Sequence, residues 1–422
     1  MWALVLVLMI ATVWRVGTVA PEYIRAKPPL FHDFYLQLDM ARSLKAGGPV
    51  YRPKVDAGLF PSSMEVYKYP PTFATLLLPL TSMKSRPAAR LFLSINFALL
   101  VAFLLLMLRT LRVKRWRAAL ILLAFLNWQP LWETLGGLQV GILLLFLAAL
   151  AWLAIARGRG IASGIALGVA GALKVYPAGL LAYFLVMRRW RVIVGAVAGG
   201  GLALLVCALT IGFGQVIDFF RYSMTRMGGT SLVHENVSVL GFAGRLASLL
   251  TQGAEKSRAA FDNIHVSFES VATSGGIAIA YAIYFVVAAS LVWVTVRAVL
   301  RGPRVERTIQ DAHLFCAALA LLLLLMPTAR IDYQDILVLP LVVLIAWAPK
   351  PREDAPLWIG IGAMVLIGSL VNANEDFWAQ HAVSMSILRG AVTVLMWWGW
   401  IRMRGRWGGA GAVQARTEPI LL

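Results

Sequence analysis

Long apolar runs that follow one another along almost the whole chain are the feature that most constrains its fold. A run of about 20 apolar residues can cross the hydrocarbon core of a membrane as a helix. The 422 residues are 60% hydrophobic and only 14% charged, whereas soluble proteins are roughly 45–50% apolar and about 25% charged. The runs do not alternate between polar and apolar residues, as the strands of a membrane barrel would. The sequence therefore predicts an all-α polytopic membrane protein.

Twelve apolar runs are predicted to be membrane spans. They lie near residues 1–15, 88–108, 118–133, 139–156, 161–175, 177–187, 192–211, 277–300, 311–326, 334–348, 355–371 and 383–401. Short basic clusters lie between or after them. These are RTLRVKRWR at 109–117, RGR at 157–159, RRWR at 188–191, RGPRVER at 301–307, PKPR at 349–352 and RMRGR at 402–406. Because cytoplasmic loops are rich in Arg and Lys, we expect these clusters and both termini in the cytoplasm.

Residues 69–80, YPPTFATLLLPL, are apolar but too short to span a membrane. If they formed a span, the later basic clusters would face the opposite side, so we predict an interfacial or re-entrant helix. The predicted outer face then includes two long loops with juxtamembrane helices, at 16–87 and 212–276. We expect a single transmembrane domain over residues 1–406 and a flexible cytoplasmic tail at 407–422.

The formal net charge of +19 does not indicate a nucleic-acid partner, because the cations lie between apolar runs. The five histidines are scattered, and HExxH, CxxC and P-loop patterns are missing from the sequence. We therefore predict no transition-metal site and no nucleotide cofactor, and the sequence leaves open whether the protein depends on a divalent metal. A divalent metal beside a phosphate would need several carboxylates, and the sequence does not show that set. Cys207 and Cys316 lie inside apolar runs and are predicted to be packing residues.

The segment FHDFYLQLDMARSL at 31–44 is predicted to form an amphipathic helix beside the membrane. Its Asp33 lies between aromatic residues, and an ionisable group at a membrane site is a functional candidate by default. The alternative is that Asp33 only caps the helix. Asp39 is expected to pair with Arg42, three residues further on.

Basic and polar residues near other predicted span ends are further candidates. Lys174, in ALKVYP, either extends to the membrane interface or faces a cavity and binds an anion. The loop at 219–250 carries His234, Asn236 and Arg245 in a pattern that favours an ordered re-entrant loop over a site. Arg330 lies where a later span leaves the membrane, and it either serves a site or pairs with Asp332.

Six segments, taken in order, resemble glycosyltransferase family 87, whose members are polytopic enzymes of the GT-C type that use polyprenol-phosphate-mannose. They run to about residue 341 and are HDFYLQLDMARSLKAGGPVY, KYPPTFATLLLPL, GGLQVGILLLFLAALA, GIALGVAGALKVYPAGLLAYFLVMRRWR, ENVSVLGFAGRL and DYQDILVLPL. The chain departs from the family pattern at Gly141, where an Asn is usual. It also has Asp332 and Tyr333 where many members carry His or Trp.

The resemblance implies a GT-C helical bundle of about 12 transmembrane helices and an inverting glycosyltransferase. The donor would be a polyprenyl-phosphate sugar, with mannose expected, and the acceptor a hydroxyl of a glycolipid or glycan. The enzyme would lie in the bacterial inner membrane with its site facing the periplasm or exterior. The implied site residues are Asp33 as catalytic base; Lys174, Arg245 and Arg330 as cations for the donor phosphate; and His234, Asn236, Tyr69 and Gln139 for substrate binding.

Three alternatives remain open, and the least favoured is a non-enzymatic membrane scaffold in which Asp33 and Lys174 have no chemical role. The other two share features with the predicted enzyme. One is a transferase of the same fold with another donor sugar, such as polyprenyl-phosphate arabinose, which would share the mechanism and the site. The other is a transporter or flippase for a lipid-linked sugar. Transporters usually show charged residues near the middle of the membrane and repeat symmetry. In this sequence the polar residues gather instead toward the predicted outer side, which favours the enzyme.

Overall fold

The computed structural model describes residues 2–25, 31–48, 50–51, 69–223, 232–233, 235–253, 257, 272–301, 306–370 and 382–405. These residues are mainly helical, with an isolated β-bridge between Asn236 and Arg330. The α-helices are α1 Trp2–Arg25, α2 His32–Lys45, α3 Pro71–Leu77, α4 Ser85–Leu111, α5 Arg115–Asn127, α6 Gln129–Gly137, α7 Gly141–Ala156, α8 Gly160–Leu173, α9 Leu180–Val186, α10 Trp190–Ile211, α11 Phe213–Asp218, α12 Val239–Gln252, α13 Ser274–Arg301, α14 Arg307–Leu325, α15 Val338–Trp347, α16 Ala355–Leu370 and α17 Ala382–Gly405. Short 3-10 helices are Leu78–Leu80, Tyr176–Gly179 and Ile331–Leu337.

Helices lie at all twelve places where the sequence predicts a span. Among the described residues, four helices are long and apolar enough to cross a membrane: α4, α10, α13 and α14. Several predicted spans are shorter or divided, and the run 118–133 is shared between α5 and α6. The helical membrane class is therefore supported, and the count of twelve spans stays a prediction.

The chain divides into two compact units. The first unit comprises Met1–Arg15, Leu105–Leu131 and Gly229–Leu422, and the second comprises Val16–Leu104 and Trp132–Gly228. The prediction of a single domain over residues 1–406 is not tested by this division. The predicted tail at 407–422 lies outside the described residues.

In the second unit, α8 and α10 pack through glycines spaced four residues apart. Gly164 and Gly168 face α10, and Gly195 and Gly199 face α8. A Cβ atom on any of the four would collide with the backbone of the opposite helix. Small residues at this spacing let two membrane helices approach until their backbones touch. This close packing fixes the end of α8, which Lys174 follows directly.

Buried polar groups join separate segments of the first unit. The Asn127 side chain, at the end of α5, donates hydrogen bonds to the Leu8 carbonyl at 3.0 Å and the Thr12 hydroxyl at 2.7 Å, both in α1. The Asp354 carboxylate accepts from the backbone of Leu357 at 3.2 Å and from the Arg402 guanidinium at 3.0 Å. Buried polar groups need such partners because an unsatisfied one is costly.

Several local predictions are confirmed. Residues 32–45 form a helix, and its Asp39 pairs with Arg42 at 2.8 Å. Residues within 69–80 form the short helix α3 and a 3-10 turn, while their depth in a membrane stays a prediction. Cys207 and Cys316 are both buried and free.

Candidate active site

Asp33 lies in the first turn of α2, one residue after the helix begins. The N-cap position belongs to Phe31, so the alternative that Asp33 only caps the helix is wrong. Phe31 adopts a left-handed backbone conformation with φ of 67°, which is uncommon for a residue other than glycine. Its backbone N–H donates to the carbonyl of Gly136 at 2.8 Å. The start of α2 is thereby held against the end of α6.

Gln139 holds the carboxylate of Asp33. Its side-chain nitrogen donates to Oδ2 of Asp33 at 2.6 Å, and the glutamine is only 5% exposed. It follows Leu138, which is buried and left-handed with φ of 49°. The Gln139 backbone N–H bonds to the Thr134 carbonyl at 3.0 Å and closes the end of α6. Glycine usually occupies the left-handed position of such a helix end. Leu138 is an exception to this preference beside the site.

Lys174 approaches the other end of the same amide. Its Nζ donates to Oε1 of Gln139 at 3.4 Å, and the residue is only 7% exposed. The glutamine therefore donates to a carboxylate and accepts from an ammonium, which is the one orientation of the amide that satisfies both. Burial of Lys174 argues against a chain that extends to the interface, whereas its binding of an anion in a cavity stays a prediction.

Tyr69 and Gly137 complete the cluster. The Tyr69 ring centroid lies 5.6 Å from Nζ of Lys174, and the Tyr69 carbonyl accepts from the Tyr51 hydroxyl at 3.1 Å. A Cβ atom on Gly137 would lie 3.3 Å from Oδ2 of Asp33 and 3.1 Å from Cγ of Gln139. Gly137 therefore provides the space in which the carboxylate and the amide meet.

The cluster combines a carboxylate and an ammonium that are linked through one neutral amide. Asp33 is half-buried, and within the described residues its Oδ1 accepts no hydrogen bond. An ionised carboxylate with one oxygen held and the other available can accept a proton. An ammonium can bind an anion such as phosphate. Asp33, Tyr69, Gln139 and Lys174, all predicted site residues, are thus brought together in the second unit.

Asn236, in the first unit, connects two loops. Its Oδ1 accepts from the backbone of Ser238 at 3.1 Å and of Ala329 at 3.0 Å. Its Nδ2 donates to the Pro327 carbonyl at 3.3 Å. These hydrogen bonds hold the segment around Asn236 against the segment 327–329. Its predicted role in substrate binding stays a prediction.

Arg245 lies fully buried in α12 of the first unit. Its guanidinium donates to the carbonyls of Val233 at 2.8 Å, Asn236 at 2.7 Å and Leu232 at 3.3 Å. Burial, helped by the charge of Arg389, lowers the pKa of Arg245 to about 9, so the group stays charged at neutral pH. Its bonds go to backbone carbonyls, and its predicted contact with a donor phosphate stays a prediction.

Arg330 forms ion pairs with two acidic residues. It pairs with Glu235 at 2.9 Å and with Asp332 at 3.3 Å. The predicted pairing with Asp332 is confirmed, whereas a role toward the donor phosphate stays a prediction. His234 lies outside the described residues.

Sequence reasoning missed three residues beside the site: Phe31, Leu138 and Tyr176. Left-handed backbone at Phe31 and Leu138 has no signal in residue type, because both are large and apolar. Tyr176 follows Lys174 by two residues, and that proximity was the available signal. Its ring centroid lies 5.8 Å from Nζ of Lys174.

The helices and the cluster together describe a helical membrane protein with a carboxylate and an ammonium in one site. The model of glycosyltransferase family 87 matches residues 67–327, and the chain belongs to this family. The protein is therefore a glycosyltransferase that acts on a sugar donor and an acceptor. Neither the curated proteins nor the solved structures gave a match. The matched range contains Tyr69, Gln139 and Lys174, and the bond from Gln139 connects it to Asp33, which precedes it.

Proposed function

We propose that this glycosyltransferase transfers mannose from a polyprenyl phosphate to a hydroxyl of a glycolipid or glycan acceptor. The transfer inverts the anomeric configuration and takes place on the outer face of the bacterial inner membrane. The observation that carries the proposal is the chain of contacts from the Asp33 carboxylate through the Gln139 amide to the Lys174 ammonium. These contacts link a carboxylate that can accept a proton with an ammonium that can bind phosphate, which supports the proposal.

Asp33 acts as the general base. It takes the proton from the acceptor hydroxyl while that oxygen attacks the anomeric carbon of the donor. One carboxylate is enough for attack from the face opposite the leaving group, which gives inversion. The hydrogen bond from Gln139 holds one carboxylate oxygen, so that the other faces the acceptor in a fixed direction.

Lys174 stabilises the leaving group. The bond between the anomeric carbon and the phosphate oxygen breaks, and its electron pair stays on the polyprenyl phosphate. This product is a stable anion and needs no general acid, but the growing negative charge needs a cation. An ammonium acts here as a compact point charge. Burial of Lys174 strengthens the attraction because little water screens it.

The contacts of the other predicted site residues support different roles. Tyr69 lies beside Lys174 and forms part of the donor site. The bonds of Arg245 and Asn236 to backbone groups support a structural role in the first unit. Arg330 and His234 remain proposed contacts to the donor phosphate and to a sugar hydroxyl, respectively.

The proposal is tested by incubating the purified protein with polyprenyl-phosphate mannose, polyprenyl-phosphate arabinose and candidate acceptors. Product masses identify the sugar, and NMR of the new linkage reports its configuration. We expect the addition of one hexose with inversion. Addition of a pentose would establish the arabinose alternative. Movement of the lipid-linked sugar across the membrane without a new glycosidic bond would contradict the enzyme and favour the transporter.

A further inference from the structure

Two tyrosine rings flank the ammonium of Lys174. The centroid of Tyr69 lies 5.6 Å from Nζ and that of Tyr176 lies 5.8 Å away. The rings come from different parts of the chain, since Tyr69 precedes α3 and Tyr176 opens the 3-10 turn after α8. Two aromatic rings and the side-chain carbonyl of Gln139 therefore lie beside the Lys174 ammonium.

The two ring contacts of Lys174 are cation–π interactions. An aromatic face attracts a cation through its quadrupole, and the effect strengthens when the cation is removed from water. The two rings and the Gln139 amide carry no net charge themselves. The Lys174 side chain also has several rotatable bonds, and flanking rings restrict them.

We propose that Tyr176 is a positioning residue that, together with Tyr69, holds the Lys174 ammonium at the phosphate of the lipid donor. This inference rests on the proposed function and extends it to a residue that the family motifs did not single out. The ring of Tyr176 carries the effect, and its hydroxyl is not required. Removal of the ring therefore weakens the binding of the anionic head group, while the apolar chain of the lipid binds as before.

The test measures binding rather than turnover. Polyprenyl monophosphate and the uncharged polyprenol are titrated into the purified full-length protein in detergent. Tyr176→Leu removes the ring, whereas Tyr176→Phe and Tyr176→Trp retain an aromatic face. We expect Tyr176→Leu to weaken polyprenyl monophosphate binding about tenfold, with polyprenol binding unchanged. The Phe and Trp variants bind both lipids as the parent protein does.

A double variant checks that the effect passes through the lysine. In a Lys174→Met background, Tyr176→Leu should cause no further loss of polyprenyl monophosphate binding, because the two residues act as a unit. The proposal would be overturned if Tyr176→Leu weakened polyprenyl monophosphate binding by the same factor in the Lys174→Met background as in the parent protein. Equal weakening by Tyr176→Phe and Tyr176→Leu would also overturn it, because the hydroxyl would then carry the effect.

Failure of this inference is distinguishable from failure of the proposed function. If the parent protein does not prefer polyprenyl monophosphate over polyprenol, the proposed lipid-phosphate donor is wrong, and the role of Tyr176 falls with it. If the parent protein shows that preference and Tyr176→Leu retains it in full, only the positioning role is wrong. Thermal unfolding of each variant confirms that the comparison is made on folded protein.

Discussion

The carboxylate of Asp33 accepts a 2.6 Å hydrogen bond from the side chain of Gln139, which lies 106 positions later in the chain. Each partner follows a residue with left-handed backbone, Phe31 two positions before Asp33 and Leu138 immediately before Gln139. Such a conformation costs about 1–3 kcal/mol at a residue other than glycine and tends to occur at functional sites. The side chains of Phe31 and Leu138 are fully buried. Their packing offsets the strain and holds the two segments in place.

Replacement of Asp33 by Asn is expected to remove transfer activity while the protein stays folded. An amide cannot accept the acceptor's proton, and loss of a general base costs about 10²–10⁴ in rate. The kcat of the reconstituted transfer reaction is the quantity to measure. The donor KM should change much less than kcat, because the proposed donor cation is Lys174.

Asp39→Asn is the matched control for this variant. Asp39 lies on the same helix, but its side chain is 57% exposed and pairs with Arg42 at the surface. Exposed pairs of this kind contribute about 0–1 kcal/mol to stability, so we expect activity close to that of the parent protein. Equal loss of kcat in the two variants would remove Asp33 from the role of base.

Lys174→Met is expected to raise the donor KM and to lower kcat. The variant keeps an apolar chain of similar length but removes the charge that we propose stabilises the leaving phosphate. Loss of one electrostatic donor at such a position costs about 10²–10³ in rate. Lys45→Met is the control, because Lys45 is exposed and bonds to the Thr81 hydroxyl at 3.2 Å. An unchanged donor KM for Lys174→Met would indicate a structural lysine.

Gly137→Ala tests how tightly the base is positioned. The new methyl group would lie 3.3 Å from Oδ2 of Asp33 and 3.1 Å from Cγ of Gln139, so both groups must shift by a few tenths of an ångström. Small displacements of a catalytic group reduce the rate, and we expect a fall of about tenfold in kcat. Gly214→Ala is the control, because a Cβ atom there meets open space. Full activity of Gly137→Ala would show that the site tolerates the displacement.

The sequence predicted helix positions well because long apolar runs and basic clusters are strong signals. It also predicted four residues that meet in the second unit: Asp33, Tyr69, Gln139 and Lys174. It could not predict the partners of Arg245, because a buried arginine that bonds to backbone carbonyls looks the same in sequence as one that binds phosphate. The left-handed backbone of Phe31 and Leu138 could not be predicted either, because tertiary packing overrides the local preference of these residue types.

Arg245→Met distinguishes a structural arginine from a phosphate ligand. The substitution leaves the carbonyls of Leu232, Val233 and Asn236 without their donor in a buried site. An unsatisfied buried acceptor costs about 1–3 kcal/mol, so we expect a clear fall in the thermal unfolding temperature. The donor KM of the folded fraction should stay near that of the parent protein. A raised donor KM without loss of stability would instead support the predicted phosphate contact.

Two glycines of α10 offer a direct test of the packing that positions Lys174. A Cβ atom on Gly199 would lie 2.5 Å from the carbonyl oxygen of Ile165 in α8, whereas one on Gly201 meets open space. Gly199→Ala must push the helices apart, and overpacking of this kind costs about 1–3 kcal/mol. Gly201→Ala should be neutral or slightly stabilising, because alanine favours a helix more than glycine does.

Thermal unfolding and donor KM should be measured for both variants. Because Lys174 directly follows α8, displacement of that helix in Gly199→Ala should raise the donor KM as well as lower the unfolding temperature. Gly201→Ala should change neither. If Gly199→Ala lowers stability but leaves the donor KM unchanged, the contact between α8 and α10 supports the fold without setting the position of Lys174.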